Sequence, residues 1–302
     1  MEANTIPSRI DYIVDFADEI VATETKTASM AADSRLVQAF GNAGEVKVKT
    51  IDFSSAPMEA MGTNGQYPLG SAVVTWQSLT LANDEGKAFD IGWTDSIKGG
   101  IVDEIAYDIS EYTRQQVVPR LDKVRLATQK LVKKNDKVKH AKLGTVGYEA
   151  SKRGETGAAL TKANIYTKIL AGLKALGNDF GSEEGNTIYI PYTYANLLDT
   201  SSEITASKDV KASGRSLVSK VDEIDGNTIV RVPDSYMSGY CFAIHAPKTI
   251  MGISTIRVKH IAAEQNVRGD GEFIGFHVYH DAICMENKKA GTYAYKITTS
   301  SP

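Results

Sequence analysis

At 302 residues the chain is long enough to bury a full core, as one elaborate domain or two ordinary ones. Its 34 basic and 37 acidic residues leave a net charge of −3, which excludes a surface organised as a whole around nucleic acid or a membrane, so any contact with nucleic acid must be local. No run approaches the length of a membrane span, acids stand where a secretory signal needs basic residues, and Cys241 and Cys284 lie in apolar strand-like runs that suit buried thiols in a reducing compartment. The expectation is a soluble, untargeted protein.

In chain order, residues 7–22 carry Ile10, Ile13, Val14, Phe16 and Ile20 in an amphipathic pattern with Pro7 near the first turn, which predicts a short helix on an N-terminal arm. Residues 23–44 are polar and small, with little to bury, and read as a weakly structured connection. In 45–53, Val46 and Val48 alternate with Lys47 and Lys49 as in a half-buried strand, but Ile51 and Phe53 continue on the lysine parity. Either a β-bulge near Thr50 or a ribbon whose two faces are covered by different partners gives that slip. A second strand is expected over 72–81. The insert between the two is turn-rich, yet it carries Met58, Met61, Tyr67 and Leu69, an apolar set that a two-stranded ribbon cannot bury by itself.

The segment 98–135 has the longest helical periodicity. Ile101, Ile105, Ile109 and Tyr112 form one stripe, Leu121, Val124, Leu131 and Val132 extend it, and Pro119 predicts a kink or break because it has no N–H for the carbonyl of Gln115. Lys130, Lys133, Lys134, Lys137, Lys139 and Lys142 gather at its end and in the glycine-rich loop beyond. They read either as a solvated helix end whose cations complement the dipole or as a contact for a phosphate backbone. Residues 161–177 predict a second amphipathic helix stopped by Gly177, and 187–191 a buried strand ending at Pro191, followed by a short helix and a polar loop over 200–215. The last third is a series of short β-rich runs separated by turn signals such as Asp225-Gly226-Asn227. The class is α+β, helices on one side of antiparallel strands.

Little in the chain carries chemistry. His277 and His280 in His-Val-Tyr-His-Asp look like metal ligands, but residues three apart on a strand face opposite ways. There is no phosphate loop, no His-Glu-x-x-His, no Cys-x-x-Cys and no nucleophile elbow, and Arg268-Gly269-Asp270 reads as a turn. No catalytic residue, cofactor or metal is expected.

The order of elements resembles the major capsid protein of tailed bacteriophages, the Hong Kong ninety-seven type fold, and the stretches RQQVVPRLDKVRLA (114–127), NTIYIPYTYANLLDTS, IDGNTIVRVPDSYM and HDAICMENKKAGTYAY are similar to that family's spine-helix, A-domain and P-domain segments in phages of Gram-positive hosts. The resemblance implies an N-terminal arm over 1–45, an E-loop β-ribbon over 46–92, a P domain over 93–180 with the spine helix at 98–135, a mainly A-domain region over 181–250, and P-domain return strands over 251–302. It further implies a shell of pentamers and hexamers around double-stranded DNA, a portal protein at one vertex, inter-subunit contacts through Met58, Met61, Tyr67, Leu69 and Trp76 of the E-loop, and a DNA-facing role for Lys130, Lys133, Lys134 and Lys137. Only about 45 residues precede the ribbon, so a separate scaffold protein, or none, is expected; decoration proteins and the size of the lattice stay open. Nothing sets a lysine opposite an asparagine of a neighbour, so the expected shell is non-covalent. The rivals are an encapsulin-type compartment shell of the same fold and a soluble α+β enzyme.

Overall fold

The computed structural model describes residues 17–31, 37–39, 45–52, 61, 73–81, 83–91, 109–131, 154–157, 159–182, 184–201, 221–237, 240–261, 265–267, 269, 271–284 and 291–297. The expected helical start over 98–108, Met58, Tyr67, Leu69, Lys133, Lys134 and Lys137 lie outside them.

Three sheets and a few helices make up the described chain. Helix α1 covers 17–24. Strands β1 (Val37–Ala39), β2 (Glu45–Asp52) and β3 (Val73–Thr80) form an antiparallel sheet in that order. Strand β4 (Asn83–Ile91) leaves this ribbon and pairs with β11 (Glu272–Cys284), which in turn pairs with β10 (Ile250–Ile261) over twelve residues. The third sheet has the order β5-β12-β9-β6-β8-β7: β5 (Gly154–Gly157), β12 (Thr292–Ile297), β9 (Phe242–His245), β6 (Thr187–Pro191), β8 (Asn227–Val232) and β7 (Glu223–Ile224). Two of its pairings, β5 with β12 and β6 with β8, are parallel. The Asp225-Gly226 signal makes the β7–β8 hairpin, both residues holding positive φ (46° and 73°) as a two-residue primed turn requires.

The helices differ from expectation in instructive ways. Helix α2 runs from 109 to 131, and Pro119 does not end it: a π-helical turn, Thr113–Val117, precedes it with Val118 between, and the Val118 N–H donates to the Thr113 carbonyl. A wider turn is one way to carry a helix past a residue that cannot donate to its α-helical acceptor. Helix α3 (Ile165–Phe180) passes through Gly177 and stops at Gly181, which has φ 72° and donates its N–H to the Gly177 carbonyl. Gly177 costs helix propensity, about 1 kcal/mol against alanine, but Gly181 supplies the left-handed cap. Helix α4 is Tyr192–Asp199.

Apolar stripes decide the packing. Ile165, Ile169, Leu173 and Leu176 of α3 press on Ile188, Ile190, Phe242 and Ile244 of the six-stranded sheet. Ile109, Val117, Val118 and Leu121 of α2 press with Ala17, Ile20 and Val21 of α1 on Ile256, Ile274, Phe276 and Val278 of β10 and β11. Between these masses Met30, Leu126, Tyr189, Val232, Met237 and Ile250 form a third cluster. His277 and His280 do take opposite faces, His280 buried toward α2 and His277 against Asp84, and the described residues hold no group of three or more metal-ligating side chains. Cys241 is a buried thiol. No helix among the described residues is long and apolar enough to cross a membrane.

Candidate interaction surfaces

The β2–β3 pair is one-to-one from Glu45↔Thr80 to Asp52↔Val73, so no bulge interrupts it. Residues directly opposite share a face. On one face Val46 and Val48 are buried with Leu81 against Met251, Ile253 and Ile283, which fastens this end of the ribbon to β10 and β11. On the other, Lys49 lies opposite Trp76 and Ile51 opposite Val74. Trp76 is 44% exposed and Val74 49%, with the Lys49 ammonium 5.8 Å from the indole centroid. The parity slip in the sequence therefore marks two faces with different surroundings, one buried inside the subunit and one open. Beyond the strands Met61 is 54% exposed. Val74 and Trp76 thus leave apolar side chains open on a strand pair that is fixed at one end.

A second site was not expected from the sequence. Residues 25–31, read as a loose connection, are docked: Thr25, Thr27 and Met30 are buried around a 3-10 turn, Ala28–Met30. Asp122 of α2, itself buried, accepts hydrogen bonds from the Lys26 N–H (3.1 Å), the Thr27 N–H (3.0 Å) and the Thr27 hydroxyl (2.7 Å). Arg125, one turn on, donates from Nη1 to Thr27 Oγ1 at 3.1 Å. The Lys26 ammonium donates to the Arg231 carbonyl (2.9 Å) and the Tyr192 hydroxyl (2.7 Å), Ser29 Oγ meets Tyr189 Oη at 2.5 Å, and Ala31 bridges to Gly252. Burial pushes the Tyr189 hydroxyl up to about 12 and holds the Arg125 guanidinium below its usual range. The hydrogen bonds from Lys26, Thr27 and Ser29 to α2, α4, β6 and β8 run to residues far along the chain, and local polarity cannot signal that. One signal was present: Val118, Leu121, Asp122 and Arg125 stand at i, i+3, i+4 and i+7, so two charges occupy the apolar stripe of a helix.

Between the π-turn of α2 and strands β4 and β11 lies a small cavity of about 160 Å³, lined among others by Tyr112, Gln116, Arg120, Glu85, Phe276 and His280. Arg120 ties helix to sheet through Glu85 (2.5 to 3.0 Å), and that guanidinium holds the Glu85 carboxyl below the usual range. His280 Nε2 stands 3.6 Å from Glu85, and burial lowers the imidazole's proton affinity. Lys130 falls in the last turn of α2. Pro119 stands two residues past the end of the π-turn, after Val118. If that turn sets how α2 sits on the sheet, Pro119→Ala is expected to change the size or yield of any assembly, although alanine is the better helix former by about 3 kcal/mol. Particles of unchanged size and higher thermal stability would show the turn to be incidental.

The fold has known counterparts. A structure from Mycobacterium phage Bobi matches with a TM-score of 0.57 at 10% identity, covering 91% of this chain and 91% of that one. The capsid structure of Cyanophage P-SCSP1u matches at 0.54 and 10% identity, over 87% and 86%. The mature capsid of bacteriophage PhiM1 matches at 0.52 and 12% identity, over 86% and 83%. No protein-family model and no curated protein matches the chain. At such identities the likeness is one of fold, and the chain has the α+β fold of tailed-phage major capsid proteins.

Proposed function

We propose that this chain is the major capsid protein of a tailed phage and assembles with copies of itself into the head shell. The observation that carries this reading is an open apolar ribbon face, Val74 and Trp76, on a chain whose fold is matched over most of its length by phage capsid subunits. In this reading 1–45 is the arm, 46–92 includes the E-loop, α2 is part of the spine helix, the six-stranded sheet belongs mainly to the A domain, and α2 with β10 and β11 belongs to the P domain. The ribbon reaches a neighbouring subunit, and Met58, Met61, Tyr67, Leu69 and Trp76 contribute its contacts. Each such side chain gains about 1.5–3 kcal/mol on full burial, and a closed lattice repeats that gain at every subunit. The chemistry is that of an interface, with no turnover and no cofactor. Pentamers and hexamers, a portal at one vertex, double-stranded DNA inside and assembly in the host cytoplasm belong to the same proposal, and no observation favours the encapsulin or the enzyme. Sedimentation of the purified chain tests it: fast particles of capsid size support the reading, and a small stable oligomer at all concentrations opposes it.

The basic run is proposed to face the DNA. Reversing the charge of Lys133, Lys134 and Lys137 is expected to leave empty shells intact and to impair DNA retention, measured as the ratio of full to empty particles, since those cations neutralise phosphates at short range. An unchanged ratio would make the run a solvated helix end.

A further inference from the structure

Asp122 and Arg125 stand three residues apart on the inward face of α2, the spacing at which a carboxylate and a guanidinium pair directly on a helix. Here they are joined through the arm. The carboxylate takes two backbone N–H groups and the Thr27 hydroxyl, and that hydroxyl stands between the carboxylate and Arg125 Nη1. Asp122 is well satisfied in this arrangement and Arg125 is not: its Nε–H is buried with no hydrogen-bond partner among the described residues. The backbone of β10 comes close beneath it, since a Cβ added at Gly252 would lie 2.3 Å from Nε. The docked arrangement therefore suits the carboxylate, while the guanidinium gains Thr27 at Nη1 and keeps its Nε–H buried over β10 without a partner among the described residues, which costs free energy in a dry site.

We propose that Asp122 and Arg125 form a two-position latch for residues 25–31. In the docked position Asp122 holds the backbone of Lys26 and Thr27. In the undocked position the freed carboxylate closes on Arg125 as an i,i+3 ion pair open to water, so neither charge is left buried and alone. The arm can then leave without unfolding the helix beneath it. Its departure would break the Ser29–Tyr189 and Lys26–Arg231 contacts to the six-stranded sheet and the Ala31–Gly252 bridge to β10, which makes the latch a point where the arm's position is coupled to the joint between α2 and both sheets. The inference uses only contacts within one subunit and stands apart from the shell reading.

The two charges act with opposite sign: Asp122 favours docking, and Arg125 favours release. Hydrogen exchange of the Lys26 and Thr27 amides in the intact native chain reads the opening directly, because both donate to Asp122 when docked. Asp122→Asn is expected to speed exchange at these amides at least tenfold. Arg125→Met, which removes the guanidinium and the alternative pairing, is expected to slow it several-fold, and Arg125→Gln, which keeps a donor for Thr27 without the charge, should slow it too if the methionine variant does not fold. Faster exchange in the arginine variants would make Arg125 a simple prop, and unchanged exchange in Asp122→Asn would remove Asp122 as the holder; either result overturns the latch.

Discussion

Serine at both Val74 and Trp76 is expected to abolish closed shells without unfolding the subunit. The two side chains are 49% and 44% exposed, so their removal takes little from the folded chain. The opposite face of the ribbon keeps Val46 and Val48 against Met251, Ile253 and Ile283, and the pairing register is a backbone property that serine does not disturb. In a lattice every copy loses the same contact, up to about 1.5–3 kcal/mol per side chain, and the loss is repeated around each ring. Circular dichroism and the urea midpoint should stay near wild type while shell yield falls to background. Replacing 54–70 by an Asn-Gly turn is expected to act in the same direction, since Asp52↔Val73 closes the described pairing before the tip. A variant that unfolds would put this face in the subunit's own core, and one that assembles normally would leave it without a structural task.

Acid is expected to loosen the subunit, with buried His245 as one cause among the described residues. The ring sits in β9 between Thr187 of β6 and Thr292 of β12, 5.3 Å from the Tyr189 ring, and burial lowers its pKa from 6.5 to about 3. The folded chain thus keeps His245 neutral down to about pH 3, whereas the unfolded chain takes up a proton below about pH 6.5. Stability from this group is complete above pH 6.5 and falls as the pH drops toward 3, by about 1.4 kcal/mol per unit at most. His280 is shifted downward by burial as well and adds to the same slope. Urea midpoints at pH 7 and pH 4.5 check this: His245→Gln should lose distinctly less stability over that interval than wild type. Equal losses would show that His245 gains water or a proton acceptor in the folded state.

The elements that could be read from the sequence are those whose signal is local. The alternation at Val46 and Val48, the stripe Ile165, Ile169, Leu173 and Leu176, and the Asp225-Gly226 turn each need only neighbouring residues, and each has its structure. Gly177 misled because a glycine inside a helix and a glycine that caps one look alike in a sequence; the positive φ at Gly181 decides. The docked arm was missed because residues 25–31 are polar and small, and their partners Asp122, Tyr189 and Arg231 lie far along the chain. The six-stranded order is likewise non-local, since β12 enters between β5 and β9 from the end of the chain. The apolar tip residues Met58, Tyr67 and Leu69 lie outside the described residues, and the open face, Val74 with Trp76 beside Lys49, needed the register.

Electron cryomicroscopy of particles formed by the purified chain tests the central claim most directly. A closed shell several hundred ångströms across, with the Val74 and Trp76 face of each ribbon buried against a neighbouring subunit, is the expected result. Small oligomers in which that face remains open to solvent would contradict it.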